Sequence, residues 1–150
     1  HSLSLEKRIV VGKMKPQSVC HHKNSILYIK GLLDRELRSC NKEDYSTKKF
    51  LRSDKIILSI RVYNEKLYVR QFSKPHMLTM HDMDGNLINI WAHNDTNGAM
   101  TAYRCKMSFL GDQIATANIS RCCITLYKLN GEVIRNVPCY IITKKSRITL

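Results

Sequence analysis

The hydrophobic pattern is clearest between Leu67 and Trp91. Leu67, Tyr68 and Val69 form a β-rich run, and Met77 to Met80 form a second after a polar connection. Asp84-Gly85-Asn86 is a hairpin turn signal, and Leu87 to Trp91 returns as a further strand. With Ile56 to Val62 in front, the pattern predicts a four-stranded antiparallel meander.

The same grammar recurs along the chain. Rows beginning at Pro16, Ile56, Tyr103 and Pro138 align without a gap, each a strand, a polar tip and a second strand. The tips fall at Asn24-Ser25, Asn64-Glu65, Gly111-Asp112 and Ser146-Arg147, residues that short turns favour. This register makes Tyr28, Tyr68 and Ala115 equivalent. The later half of each unit also repeats: Met77 to Met80, Gly85 and Leu87-Ile88 match Cys123 to Leu126, Gly131 and Val133-Ile134. In the first unit Leu37 and Phe50 hold equivalent places, but Glu43-Asp44 replaces the turn glycine.

A period of about 40 residues with room for four strands predicts an all-β chain of propeller blades. The expected boundaries are 16–55 (a degenerate first blade), 56–102, 103–137, and 138–150 as the start of a further blade. Ile9-Val10-Val11 and Gly12 make 1–15 the last strand of a preceding blade or an N-terminal extension. The alternative is a β-trefoil, which closes three four-stranded repeats within such a length; the fourth phased start at Pro138 argues against it.

Leu67-Tyr68-Val69, Met77 to Met80, Asp82, Asp84-Gly85 and Leu87-Ile88 together resemble an NHL repeat, as do Gln113 to Asn118, Ile124 to Leu126 and Leu129-Asn130-Gly131. The resemblance implies a six-bladed, TolB-like propeller, of which this chain holds about three and a half blades, so a piece of a longer chain is expected. Arg70-Gln71 and Lys30-Gly31 depart from the family's usual Ala-Asp, which weakens any transfer of function.

Composition narrows the function classes. The 150 residues are 43% hydrophobic, enough for one domain with a core, and carry a formal charge of +13. Such a surplus favours polyanionic or acidic partners. The six cysteines include no C-x-x-C pair, and Cys20-His21-His22 has no second cluster at a zinc-finger spacing. Free thiols in a reducing, cytoplasmic setting are expected, with no secretory leader in residues 1–15 and no membrane span. No Gly-rich phosphate loop, nucleophile turn or repeated acid/base set appears, and His81, Asp82 and Asp84 read as turn chemistry. The expectation is a non-enzymatic protein with no cofactor and no metal.

In a meander blade, the connections between second and third strands and those into the next blade share one rim. That rim is predicted to gather Arg35, Lys48, Lys49, Arg52, Lys55, Arg70, Lys74, Arg104, Lys106 and Arg121, with Tyr45, Phe72, Trp91 and Tyr103 near them. The expected function is a binding scaffold for a protein partner, with acidic peptide segments favoured by the basic rim. NHL-type propellers often form the target-recognition end of larger proteins. The alternative is single-stranded RNA, with cations following phosphates and rings stacking on bases.

Overall fold

The structure is a computed structural model and describes residues 18–31, 33–73, 76–93, 107–118 and 123–138. The first sheet contains Ser18–His22 (β1), Ser25–Ile29 (β2), Glu36–Asn41 (β3) and Thr47–Arg52 (β4), antiparallel in that order. The second contains Ile56–Tyr63 (β5), Lys66–Phe72 (β6), His76–His81 (β7) and Leu87–His93 (β8). The third contains Met107–Leu110 (β9), Gln113–Asn118 (β10), Cys123–Lys128 (β11) and Val133–Pro138 (β12). Among the described residues no strand is shared between sheets, and the fold is that of four-stranded β-propeller blades rather than a trefoil.

Alternation along the strands explains how the blades stack. Successive side chains of a strand point to opposite faces. Leu67 and Val69 of β6 therefore pack with Leu27, Ile29 and Leu37 of the first blade, while Tyr68 faces the other way onto Met107 and Ile114 of the third. The inner strands of the middle blade are buried on two faces, so Ile57 to Ile60 of β5 and Leu67 to Val69 of β6 are continuously buried, while Leu87, Ile88 and Ile90 of β8 are exposed. The first strands, β1, β5 and β9, lie beside one another, so the sheets fan out from this seam. Arg61 of β5 spans it, donating from Nε to the Met107 carbonyl at 3.2 Å and from Nη1 to the Val19 carbonyl at 3.5 Å.

The register corrects one expectation. The turns are Lys23-Asn24, Asn64-Glu65 and Gly111-Asp112, so the first repeat is displaced by one residue from the predicted alignment. Lys23, Asn64 and Gly111 each have φ between 48° and 59° at the first turn position, as hairpin turns of this length demand. Counted from these turns, Leu27, Tyr68 and Ala115 are equivalent, and Tyr28 corresponds to Val69. A one-residue slip exchanges faces, which is why the aromatic match between Tyr28 and Tyr68 misleads.

The second hairpins explain the repeated glycines. Asp82 to Asn86 and Lys128 to Glu132 make the same pair of backbone hydrogen bonds, with Gly85 at φ 91° and Gly131 at φ 90°. Each glycine also packs on the preceding blade's outer strand. A Cβ on Gly85 would lie 3.2 Å from the Phe50 carbonyl oxygen, and one on Gly131 would lie 1.7 Å from the Trp91 ring. In the first blade a longer loop replaces this turn, and Tyr45 takes the left-handed conformation at φ 60°. The strand expected at Ile9 to Val11 and the fourth hairpin around Ser146-Arg147 lie outside the described residues.

A polar line runs through the first interface. The His81 Nδ1 faces the Gly85 carbonyl at 3.3 Å, its Nε2 lies 2.9 Å from the Thr79 hydroxyl, and Gln71 donates to that hydroxyl at 3.4 Å. Burial holds the His81 pKa below its ordinary value of 6.5, outweighing the opposing pull of the Gly85 carbonyl and Asp82. Folded His81 stays neutral where the unfolded chain already binds a proton, so stability held above pH 6.5 is lost as pH falls below it. Urea midpoints at pH 7.5 and 5.5 are expected to fall more steeply in the native chain than in His81→Gln. Equal slopes would mean that His81 is not the group responsible.

Candidate functional site

The loop rim forms as the strand order requires. The Ser53 N–H donates to the Arg35 carbonyl and the Ile57 N–H to the Asp34 carbonyl, each at 2.8 Å, which joins the β2–β3 loop to the connection into the second blade. Asp34 shapes the loop by accepting from the N–H groups of Arg35 and Glu36. Arg35 and Arg52 are exposed beside it. Lys55 sits 3.1 Å from Asp54, while neither Arg35 nor Arg52 has a carboxylate partner among the described residues.

The other predicted positions separate. Arg70 lies in the middle of β6 opposite Leu78, with 9% exposure, and its Nη1 has no hydrogen-bond partner among the described residues. It is an interior group of the second sheet and does not reach the rim. Lys49 and Lys48 lie along β4 and line a cleft that opens beside the hairpin turns, at the opposite end from Arg35 and Arg52. Lys74, Tyr103, Arg104, Lys106 and Arg121 lie outside the described residues, as does most of the positive surplus.

Among the described residues, Tyr45, Phe72 and Trp91 do not form one stacking surface. Trp91 stacks on Tyr68 at 6.2 Å and 6° between planes, inside the contact with the third blade. Tyr45 stands on the hairpin-turn end, and Phe72 is half-buried at the end of β6. Tyr63 stacks on Phe109 at 4.5 Å. Tyr63, Tyr68, Trp91 and Phe109 thus serve blade packing, while Tyr45 is exposed.

Possible chemical groups are committed elsewhere. Burial pushes the Cys20 thiol up to about 11 against the pull of Arg61, so it remains protonated at neutral pH. Cys20, Cys40 and Cys123 are free thiols. His22 Nε2 and Lys23 Nζ meet Glu65 at 2.8 and 2.9 Å, bridging the first two blades, and His21 contacts Lys42. Hydrogen bonds from Lys23 and His22 hold the Glu65 carboxyl below its ordinary value. Asp82, likewise lowered, accepts from Asn86 Nδ2 and from the N–H groups of Asp84 and Asn86. Among the described residues no three His, Cys, Asp or Glu side chains are grouped to hold a metal ion.

The cleft was not among the predicted sites. It has a volume of about 310 Å³ and lies between the first two blades, lined by His22, Ser25, Leu27, Ser39, Lys48, Lys49, Phe50, Met83 and Asp84. Its origin is a size difference between repeats. Leu27 pairs with Ser39 in the first blade where Tyr68 pairs with Met80 in the second. The larger pair, with Trp91, fills the second interface, and the smaller pair leaves space in the first. The signal was in the sequence, but the one-residue slip in the first repeat hid it.

No protein-family model matches the chain, and no curated protein matches it in sequence. Solved structures do match in shape. AztD from Citrobacter koseri superposes with a TM-score of 0.61 at 11% identity, over 91% of this chain and 38% of that one. The computationally designed Ika4 protein gives 0.54 at 10% identity, over 91% and 78%, and the designed Ika8 protein 0.53 at 8%, over 83% and 37%. The chain thus spans well under half the length of AztD, and at these identities the likeness concerns the propeller fold alone. Among the described residues no helix is long and apolar enough to cross a membrane.

Proposed function

We propose that the chain is a non-enzymatic binding platform that recognises an acidic segment of a protein partner along the first blade's outer strand. One observation carries this reading: β4 holds Lys48, Lys49 and Arg52, has no acidic residue, and none of these cations is ion-paired among the described residues. Unpaired cations on a sheet edge also discourage strand addition, so they suit a surface that contacts side chains. Arg35 extends the strip at the loop rim. In this reading the sheets are NHL-type blades of a longer target-recognition propeller; the recurring turns at Asp84-Gly85 and Asn130-Gly131 support it. Single-stranded RNA draws support from the net charge, but of the rings expected near the rim Trp91 is engaged in blade packing and Phe72 is half-buried, which leaves Tyr45 as the exposed one among the described residues.

The test compares a labelled acidic peptide with a single-stranded oligouridylate on the native chain and on Arg35→Glu/Arg52→Glu. The expected result is peptide binding that weakens about tenfold or more on charge reversal. Absence of peptide binding, or indifference to the reversal, overturns the reading. Tight RNA binding that falls log-linearly with salt and is lost on reversal transfers the surface to nucleic acid.

A further inference from the structure

We infer that the cleft between the first two blades is a pocket for a carboxylate side chain and the large apolar side chain beside it on the partner segment. The inference rests on the platform reading and adds a specificity element to it. The lining divides by chemistry. Lys48 and Lys49 supply ammonium groups without a carboxylate partner among the described residues, with the hydroxyls of Ser25 and Ser39 beside them. Leu27, Phe50 and Met83 supply an apolar wall.

The volume of about 310 Å³ stands at the lower end of sites that enclose a ligand. It suits a pair of side chains better than a whole cofactor. Asp84 also lines the cleft and disfavours a second carboxylate near it. An acidic residue followed by an apolar one is therefore preferred to a run of acids. The next interface supplies an internal comparison: with Met80 in place of Ser39 and Tyr68 in place of Leu27, the same geometry is filled by the protein's own side chains.

Two labelled peptides of equal length and charge test this, one alternating Glu and Leu, the other alternating Glu and Ser. The native chain is expected to bind the Glu-Leu peptide about tenfold more tightly, a typical worth of one buried apolar side chain. Ser39→Met, which installs the residue found in the second blade, is expected to erase the difference between the two peptides. In the native chain, the Glu-Leu peptide should protect Lys48 and Lys49 from acetylation relative to Lys66 and Lys128. Equal affinity for the two peptides, a preference that survives in folded Ser39→Met, or unprotected Lys48 and Lys49 would overturn the inference. Binding without preference removes the pocket alone, whereas no binding of either peptide removes the platform reading with it.

Discussion

Gly131→Ala is expected to lower stability by about 3 kcal/mol or more, shifting the urea midpoint well below that of the native chain. Two costs combine. The φ of 90° lies where a side chain adds about 1–2 kcal/mol of backbone strain. The new methyl would also sit 1.7 Å from the Trp91 ring, and forcing apart a packed contact costs about 1–3 kcal/mol. Gly85→Ala carries the same backbone strain, but its nearest obstacle is the Phe50 carbonyl oxygen at 3.2 Å, so a smaller loss is expected. Trp91→Ala should partly relieve Gly131→Ala, giving a non-additive double-mutant cycle. Additive losses would mean that turn strain alone sets the cost.

Tyr68→Ala is expected to cost about 3–5 kcal/mol, the usual range for deleting a buried aromatic ring. Tyr68 is 2% exposed, stacks on Trp91, and meets Phe109 edge-on at 4.8 Å. It lies between the second and third blades, so its removal opens a cavity that two rigid sheets cannot close. Tyr68→Phe keeps the ring and should lose far less. Guanidinium unfolding of the two variants checks this; equal losses would assign the effect to the hydroxyl instead of the packed ring.

The fold was legible because the meander between Ile56 and Trp91 breaks into short apolar runs and ends each hairpin in residues with one structural meaning. The four strands expected there appear as β5 to β8. The turns at Gly85 and Gly131 were matched as equivalent from sequence, and the structure supplies the cause: a left-handed backbone and a ring of the preceding blade on the same atom. The surface was harder to read. A rim position follows from where a residue falls between strands, and Arg35 and Arg52 obey that rule. Arg70 looked like a rim cation because its charge suggested solvent, yet β6 is the second strand of a sheet covered on two faces. Lys49 was assigned to the wrong end because sequence does not show where two sheets fail to meet. That gap comes from the cross-strand pair Leu27 and Ser39 on one face of the first sheet, which the one-residue slip in the first repeat hid.

Successive blades meet with each turn glycine against the preceding blade's outer aromatic. Proton NMR of the Gly131 α-protons measures this directly. The expected result is upfield-shifted α-proton resonances, from the indole ring current, with nuclear Overhauser contacts to the Trp91 ring protons. Unshifted resonances with no contact to Trp91 would contradict the stacking of the second and third blades.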